Sequence, residues 1–208
     1  MSQQHWDKVY TTKSADAVSW FQVKADVSLR LMDGLSLDKN APMIDVGGGA
    51  SVLVDGLLKR GHTNITVLDI AQSALDVASA RLAAKAKNID WLCADVLTAP
   101  LPKQHYQLWH DRAVFHFLTE PYDRARYRTQ LADSVQTGGY LLMATFAEDG
   151  PLQCSGLPIC RYSIDDLVAE FVDDWSLISS EKTPHQTPTG ATQSFVFALF
   201  KRKNHAAI

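Results

Sequence analysis

The chain has 208 residues, 46% of them hydrophobic and 21% charged, and a formal net charge of −3. This is the balance of a globular protein large enough to bury one sizeable core, and its slight acidity gives no general attraction to nucleic acid. No apolar run approaches the ~20 residues that span a membrane, and residues 1–8 lack the apolar centre of a secretory signal. The three cysteines are an odd number, which argues against a disulfide framework and for a reducing, cytoplasmic setting.

In chain order, Val18, Phe21, Ala25, Leu29 and Met32 recur at helical spacing and predict one or two helices within residues 14–35. After Pro42, the run Met43-Ile44-Asp45-Val46 ends in Gly47, Gly48 and Gly49, and a helix is expected over residues 52–60. That pattern reads as a buried strand turning tightly into a helix, with backbone placed close to a ligand. Residues 63–70 form a second strand-like stretch whose acid, Asp69, lies 20 residues beyond Gly49, where a ribose-binding carboxylate belongs. Residues 71–86, with Ala74, Leu75, Ala78, Leu82 and Ala83, predict a helix. Residues 89–96 predict a third strand, with Asp95 near its end. Three strands thus deliver carboxylates to one edge, although an Asp at a strand end also serves to cap the following helix.

Residues 106–111 predict the fourth strand, with Trp109 in the core, and residues 121–135 a helix behind it. Gly138 and Gly139 then turn into a fifth strand at 140–146. This alternation predicts a parallel sheet with helices on both faces. The end of the chain breaks it: residues 175–180 and 194–200 read as strands with no helix between them, a return that inserts an antiparallel strand. The long segment 147–162 holds two prolines and two glycines, the mark of an ordered functional loop or lid, and Ser163 with Asp166 opens a helix as a capping box. Cys154 and Arg161 in that segment are candidate substrate contacts; the alternatives are a small buried hydrophobe and a surface ion-pair partner. His185 and Gln193, in an expected loop at 184–193, are further substrate candidates, or else stabilise that loop by hydrogen bonds. Cys154 and Cys160 match zinc-ligand spacing poorly, so no metal is expected. Lys201-Arg202-Lys203 reads as a solvated tail. No repeat or linker appears, and the chain reads as one domain, a helical lid region at 1–40 before a core at 41–208.

Asp45, Gly47 and Gly49, followed by Asp69, Asp95 and the antiparallel tail, resemble the class I S-adenosylmethionine-dependent methyltransferases across nearly the whole chain. Ser51 departs from the pattern, since a third glycine often stands there. The resemblance implies an α/β, Rossmann-like seven-stranded sheet in the order 3-2-1-4-5-7-6, last strand antiparallel, with helices on both faces. It implies S-adenosylmethionine as cofactor and S-adenosylhomocysteine as product. Asp69 with Ile70 would meet the ribose and Asp95 with Val96 the adenine. Asp45 and the Gly47, Gly48, Gly49 turn would lie against the methionine part, with Asp111 and Arg112 beside the sulfonium and amino end. His116, one turn further on, is a candidate general base because an unperturbed imidazole titrates near neutrality; the alternatives are a pocket-lining ring or one satisfied by a backbone group. Trp6, Tyr10, Trp20 and Phe21 form an aromatic group, and Trp20 is a candidate cofactor contact because an aromatic face suits a sulfonium; packing on the sheet is the alternative. The glycine turn alone suits a nicotinamide cofactor equally. The antiparallel tail argues against one, as does the lack of a recognisable hydride-transfer Tyr/Lys pair.

The acceptor is narrowed by absences. Asp111-Arg112-Ala113 replaces the Asn/Asp-Pro-Pro-aromatic motif of amino methylation in nucleic acid, and no Pro-Cys dipeptide or basic groove with interleaved aromatics occurs. The loop pattern resembles the thiopurine and tellurite-resistance methyltransferases, which alkylate sulfur, selenium or metalloid acceptors. His5-Trp6-Asp7-Lys8-Val9-Tyr10 with Ser19-Trp20-Phe21 resembles the protein-lysine methyltransferase-like branch. The expectation is a methyltransferase acting at a sulfur, selenium, nitrogen or oxygen atom of a small molecule. A protein lysine and a non-catalytic cofactor-binding regulator are the alternatives. Neither nucleic acid nor membrane is expected as a partner, and the chain is expected to be a monomer or weak homodimer.

Overall fold

The structure is a computed structural model that describes residues 2–204. Met43–Val46 (β1), Ile65–Asp69 (β2), Ile89–Cys93 (β3), Tyr106–Arg112 (β4) and Val135–Phe146 (β5) are parallel strands. A two-strand hairpin, Gln153–Cys154 (β6) and Leu157–Pro158 (β7), precedes the long antiparallel pair Trp175–Gln186 (β8) and Thr192–Arg202 (β9). The main sheet runs β3-β2-β1-β4-β5-β9-β8, with β9 antiparallel to both neighbours. With the small hairpin set apart, this is the expected 3-2-1-4-5-7-6 order.

Among the described residues six α-helices surround it: Gln3–Thr12 (α1), Asp26–Asp33 (α2), Leu53–Lys59 (α3), Gln72–Leu82 (α4), Pro121–Ser134 (α5) and Ile164–Phe171 (α6). Alternate side chains of the central strands face opposite ways, so both faces must be covered. Ile44, Val46 and Trp109 pack with Tyr127 and Leu131 of α5 and Leu167 and Phe171 of α6. On the other face Met43, Ile65, Val67 and Leu108 pack with α2, α3 and α4 through Leu29, Leu53, Leu57 and Leu75. Trp109 is fully buried and its indole N–H donates to the Tyr127 hydroxyl at 2.8 Å, in keeping with its expected core place. Ser163 and Asp166 close the expected capping box at the start of α6. Among the described residues, no helix is long and apolar enough to cross a membrane.

Four local expectations are corrected. Within residues 14–35 one α-helix forms, α2, as expected, but residues 14–24 are mostly irregular and the first helix lies earlier, at α1, capped by the Ser2 hydroxyl. The apparent periodicity through Val18 and Met32 joins two different packing sites: Val18 and Phe21 belong with Trp6 and Phe117, while Ala25, Leu29 and Met32 belong with the α2–α3 layer. Strand β5 starts before Gly138 and Gly139 and passes through them with a register shift, rather than beginning after them. The expected 184–193 loop is mostly strand, because Pro184, His185 and Gln186 pair with Ser194, Gln193 and Thr192, and proline is tolerated on this edge strand. Lys201 and Arg202 complete β9 instead of forming a tail, and Arg202 and Lys203 donate to the Val135 and Val172 carbonyls.

Candidate active site

The carboxyl ends of β1, β2 and β4 meet the N-terminal segment over two adjoining cavities, the end of an open α/β sheet where ligands collect. One, of about 640 Å³, is lined by Trp6, Ile70, Val96, Phe117 and Cys154, with Asp69 and Asp95 among them. The other, of about 500 Å³, is lined by Asp45, Ser51, His110 and Gln22. Gly47, Tyr10, Trp20 and Arg112 border both.

The glycine turn is shaped by the acids beneath it. Gly47 has φ +67°, and a Cβ there would lie 2.0 Å from Val114 Cγ2. A Cβ on Gly48 would strike the Asp45 carboxylate at 2.4 Å, and one on Gly49 would strike the Asp69 carboxylate at 2.5 Å. Of the three expected cofactor-binding glycines, Gly47 borders the cavities; Gly48 and Gly49 instead give the carboxylates room to tuck under the backbone.

Asp69 Oδ2 accepts from the Gly49 amide at 3.1 Å and Oδ1 from the Ala71 amide at 2.8 Å. Burial pushes its carboxyl up to about 6, opposed by those two amides. Each oxygen keeps a further lone pair, so capping and ligand binding, the two readings of this acid, are compatible. Asp95 is held similarly, through the Leu97 amide at 2.9 Å. Asp45 Oδ1 lies 2.6 Å from His110 Nδ1, and His110 Nε2 lies 2.9 Å from the Ser28 hydroxyl. Asp45 Oδ2 is buried without a hydrogen-bond partner among the described residues. His110 and Ser28 are site-supporting residues that the sequence reading missed. A histidine amid the apolar residues of a central strand was the available signal; nothing local marked Ser28, which arrives from α2.

Arg112 is buried between the two cavities. Its Nη1 donates to the Trp20 carbonyl at 3.0 Å, and its guanidinium carbon stands 4.5 Å from the centre of the Phe195 ring. Burial lowers its pKa to about 10, which leaves it cationic at neutral pH. Trp20, tied to the Tyr10 hydroxyl at 3.3 Å, lines both cavities, and burial raises the Tyr10 phenol above its ordinary value.

Two expectations drawn from the strand-four segment fail. Asp111 does not reach either cavity: it is fully buried, accepts from the Tyr127 hydroxyl at 2.6 Å and from the Val114 and Phe115 amides, and is pushed up to about 6 by burial. It anchors the turn after β4. His116 also misses both cavities, with no exposed surface; its Nδ1 accepts from the Phe146 amide at 3.3 Å. Burial, helped by the Arg112 charge, drives its pKa down to about 3, so a poised base does not exist there.

The four substrate candidates separate. Cys154 lines the larger cavity, with its thiol pushed up to about 12 by burial. Arg161 lies in another cleft with Arg124 and Glu170 and donates to the Gly150 carbonyl at 3.2 Å. His185, in β8, has Nε2 2.8 Å from the Ser19 carbonyl, and burial lowers its pKa. Gln193 pairs with His185 across the strands, and its Oε1 is buried without a partner among the described residues.

A nucleoside bearing an amino-acid end suits this donor set. Asp69 can accept from a diol, the apolar wall near Ile70 and Val96 can face a flat base, and Asp45 Oδ2 can accept from an ammonium group.

Comparison with known proteins agrees with that chemistry. A protein-family profile described as "Methyltransferase domain" matches residues 43–139. The chain is 23% identical to "EEF1A lysine methyltransferase 2" of Danio rerio, over 95% of this chain and 85% of that protein. It is 29% identical to "Ribosomal protein L11 methyltransferase" of Shewanella baltica (strain OS185), over 74% of this chain and 49% of that protein. Among solved structures, one described as "Conversion of a Disulfide Bond into a Thioacetal Group during Echinomycin Biosynthesis" shares the fold with a TM-score of 0.78. That match is 18% identical and covers 98% of this chain and 94% of the other.

Proposed function

We propose, for a chain that belongs to the class I S-adenosylmethionine-dependent methyltransferases, that its methyl acceptor is a small molecule whose nucleophile, a sulfur or selenium atom, needs no base from the protein. The observation that carries this reading is that, among the described residues and apart from Asp69 and Asp95 at the nucleoside end, no poised proton acceptor lines the larger cavity. Cys154 is held neutral, the Tyr10 phenol is raised, and His116 is buried behind the site with its pKa near 3. A thiolate or selenolate arrives already able to react.

In this assignment Asp69, beside Ile70, holds the ribose hydroxyls, and Asp95 with Val96 borders the adenine. Asp45, oriented by His110, receives the amino group, while Gly47 gives the methionine end close backbone approach. When bound, S-adenosylmethionine supplies an electrophilic methyl group on a sulfonium. The protein's own part is position and exclusion of water: Trp6, Tyr10 and Trp20 line the larger cavity and present aromatic surface to the cation. Cys154 borders the acceptor; Arg161 stands outside it, in its separate cleft.

A second reading has its own support. The Danio rerio relative is named a lysine methyltransferase and aligns with 95% of this chain. A lysine amine would have to lose its proton before reaching a site that carries a buried arginine. Methyl-labelled S-adenosylmethionine supplied with a set of thiols and selenols, or with purified elongation factor 1A, separates the two. Label on a thiol or selenol supports the small-molecule reading. Label confined to a lysine of the protein replaces it with the second.

A further inference from the structure

Among the described residues three partly buried arginines, Arg112, Arg126 and Arg202, meet no carboxylate within ion-pair distance, and of these Arg112 alone borders the two cavities. Arg60, Arg81, Arg124 and Arg128 each meet a carboxylate. Arg112, the most deeply buried of them, meets none within ion-pair distance among the described residues, and its Nε is without a partner. A buried cation without a counter-charge is costly, and the cost is tolerated where a ligand completes the site.

Its surroundings say on which side that ligand lies. The guanidinium rests over Phe195 of β9 and is tied to the Trp20 carbonyl. Its charge is felt at Cys154 of the small hairpin, at His116 and at His185 of β8, and on the cofactor side it feels the Asp45 carboxylate of β1. Thr145 Oγ1 of β5 and Gln193 Oε1 of β9 are buried without partners among the described residues, although neither residue lines the two cavities. These elements lie beyond β4, away from β2 and β3, whose acids face the nucleoside end of the cavity. From this geometry we infer that the methyl acceptor carries, besides its nucleophile, a carboxylate that docks on the Arg112 guanidinium, which makes Arg112 the acceptor-specificity residue. The inference rests on the small-molecule reading and narrows it to anionic acceptors; a planar guanidinium is well matched to a carboxylate.

A carboxylate is also present on the methionine end of the cofactor, so the test separates the two sources. Wild type, Arg112→Gln and Arg112→Lys are compared on 4-mercaptobenzoate and 4-methylbenzenethiol, which differ in their charge. Calorimetry measures binding of S-adenosylhomocysteine, and then of 4-mercaptobenzoate to the S-adenosylhomocysteine-loaded protein. The expected result is a preference of wild type for 4-mercaptobenzoate in kcat/KM of about tenfold or more, the worth of one charge-assisted hydrogen bond. Arg112→Gln abolishes that preference, Arg112→Lys restores part of it, and S-adenosylhomocysteine affinity stays within about threefold, below the loss expected for a charge-assisted contact. Equal use of the two thiols by wild type overturns the inference. So does a loss of S-adenosylhomocysteine affinity in Arg112→Gln with the acceptor preference intact, which assigns the guanidinium to the cofactor carboxylate. If wild type methylates neither thiol, the sulfur-acceptor reading fails by itself. The anion inference is then decided by calorimetry: Arg112-dependent binding of 4-mercaptobenzoate supports it, and no binding overturns it.

Discussion

Two neighbouring residues at the end of β4 show how differently one strand can use buried charge. Asp111 faces the α5 layer and is surrounded by donors: the Tyr127 hydroxyl and the amides of Val114 and Phe115. Arg112, one residue on and pointing to the opposite face, borders both cavities with a single internal hydrogen bond and an unpartnered Nε. The satisfied charge builds structure, and the unsatisfied one waits for a ligand. Across the sheet edge Asp69 combines the two uses, held by two amides while each oxygen keeps a further lone pair, and Asp45 keeps one oxygen without a partner among the described residues.

The contrast breaks most sharply at Asp111. Asp111→Ala strands three donors inside the protein and should lower unfolding free energy by about 3 kcal/mol or more, read by denaturant titration. An effect below about 1 kcal/mol would remove its structural role. Asp69→Ala should act mainly on binding, weakening S-adenosylhomocysteine by roughly 10- to 100-fold in calorimetry. The free carboxyl sits at about 6, so wild-type affinity should be constant above neutrality and fall as pH drops through 6, by up to about tenfold per unit. For stability the sign is opposite. A carboxyl raised from about 4 to its folded value favours the native state at low pH, and that contribution is lost as pH rises between the two. Arg112→Met, which removes an unpaired buried cation while keeping much of its bulk, should raise unfolding free energy by about 1 kcal/mol or more. A marked loss would mean that the guanidinium is structurally paired.

The smallest effect is expected at His116. His116→Asn keeps an acceptor for the Phe146 amide and should leave the methyl-transfer rate within about threefold, whereas loss of a general base would cost about 100-fold or more. The imidazole's folded pKa is depressed to about 3, so its contribution is complete above its unfolded value of about 6.5 and is lost as pH falls towards 3. The variant should therefore resist acid better than wild type in thermal melts at pH 4 to 6, a window of roughly the predicted shift.

Much of the sheet was legible because buried parallel strands are continuous apolar runs, and each of the first three ends in or runs up to an acid at the ligand edge. The placement of Asp69, Asp95 and Gly47 at the cavity edge was therefore readable from the strand pattern. His116 and Asp111 were misread for one reason: a polar residue following a strand looks the same in sequence whether it faces a cavity or the core. The true facing depends on the turn at Ala113, where φ is +75° and the chain swings Phe115 and His116 inward.

The sequence by itself determined the α/β alternation, the antiparallel ending and the acids at the ligand edge, since hydrophobic periodicity and glycine turns act over a few residues. Only the tertiary structure decided which charges are satisfied. Asp45 meets His110 across 65 residues, His110 meets Ser28 across 82, and Arg112 meets Trp20 across 92. Whether a buried polar atom finds a partner is set by which distant segments the fold packs against it, and no local pattern encodes that.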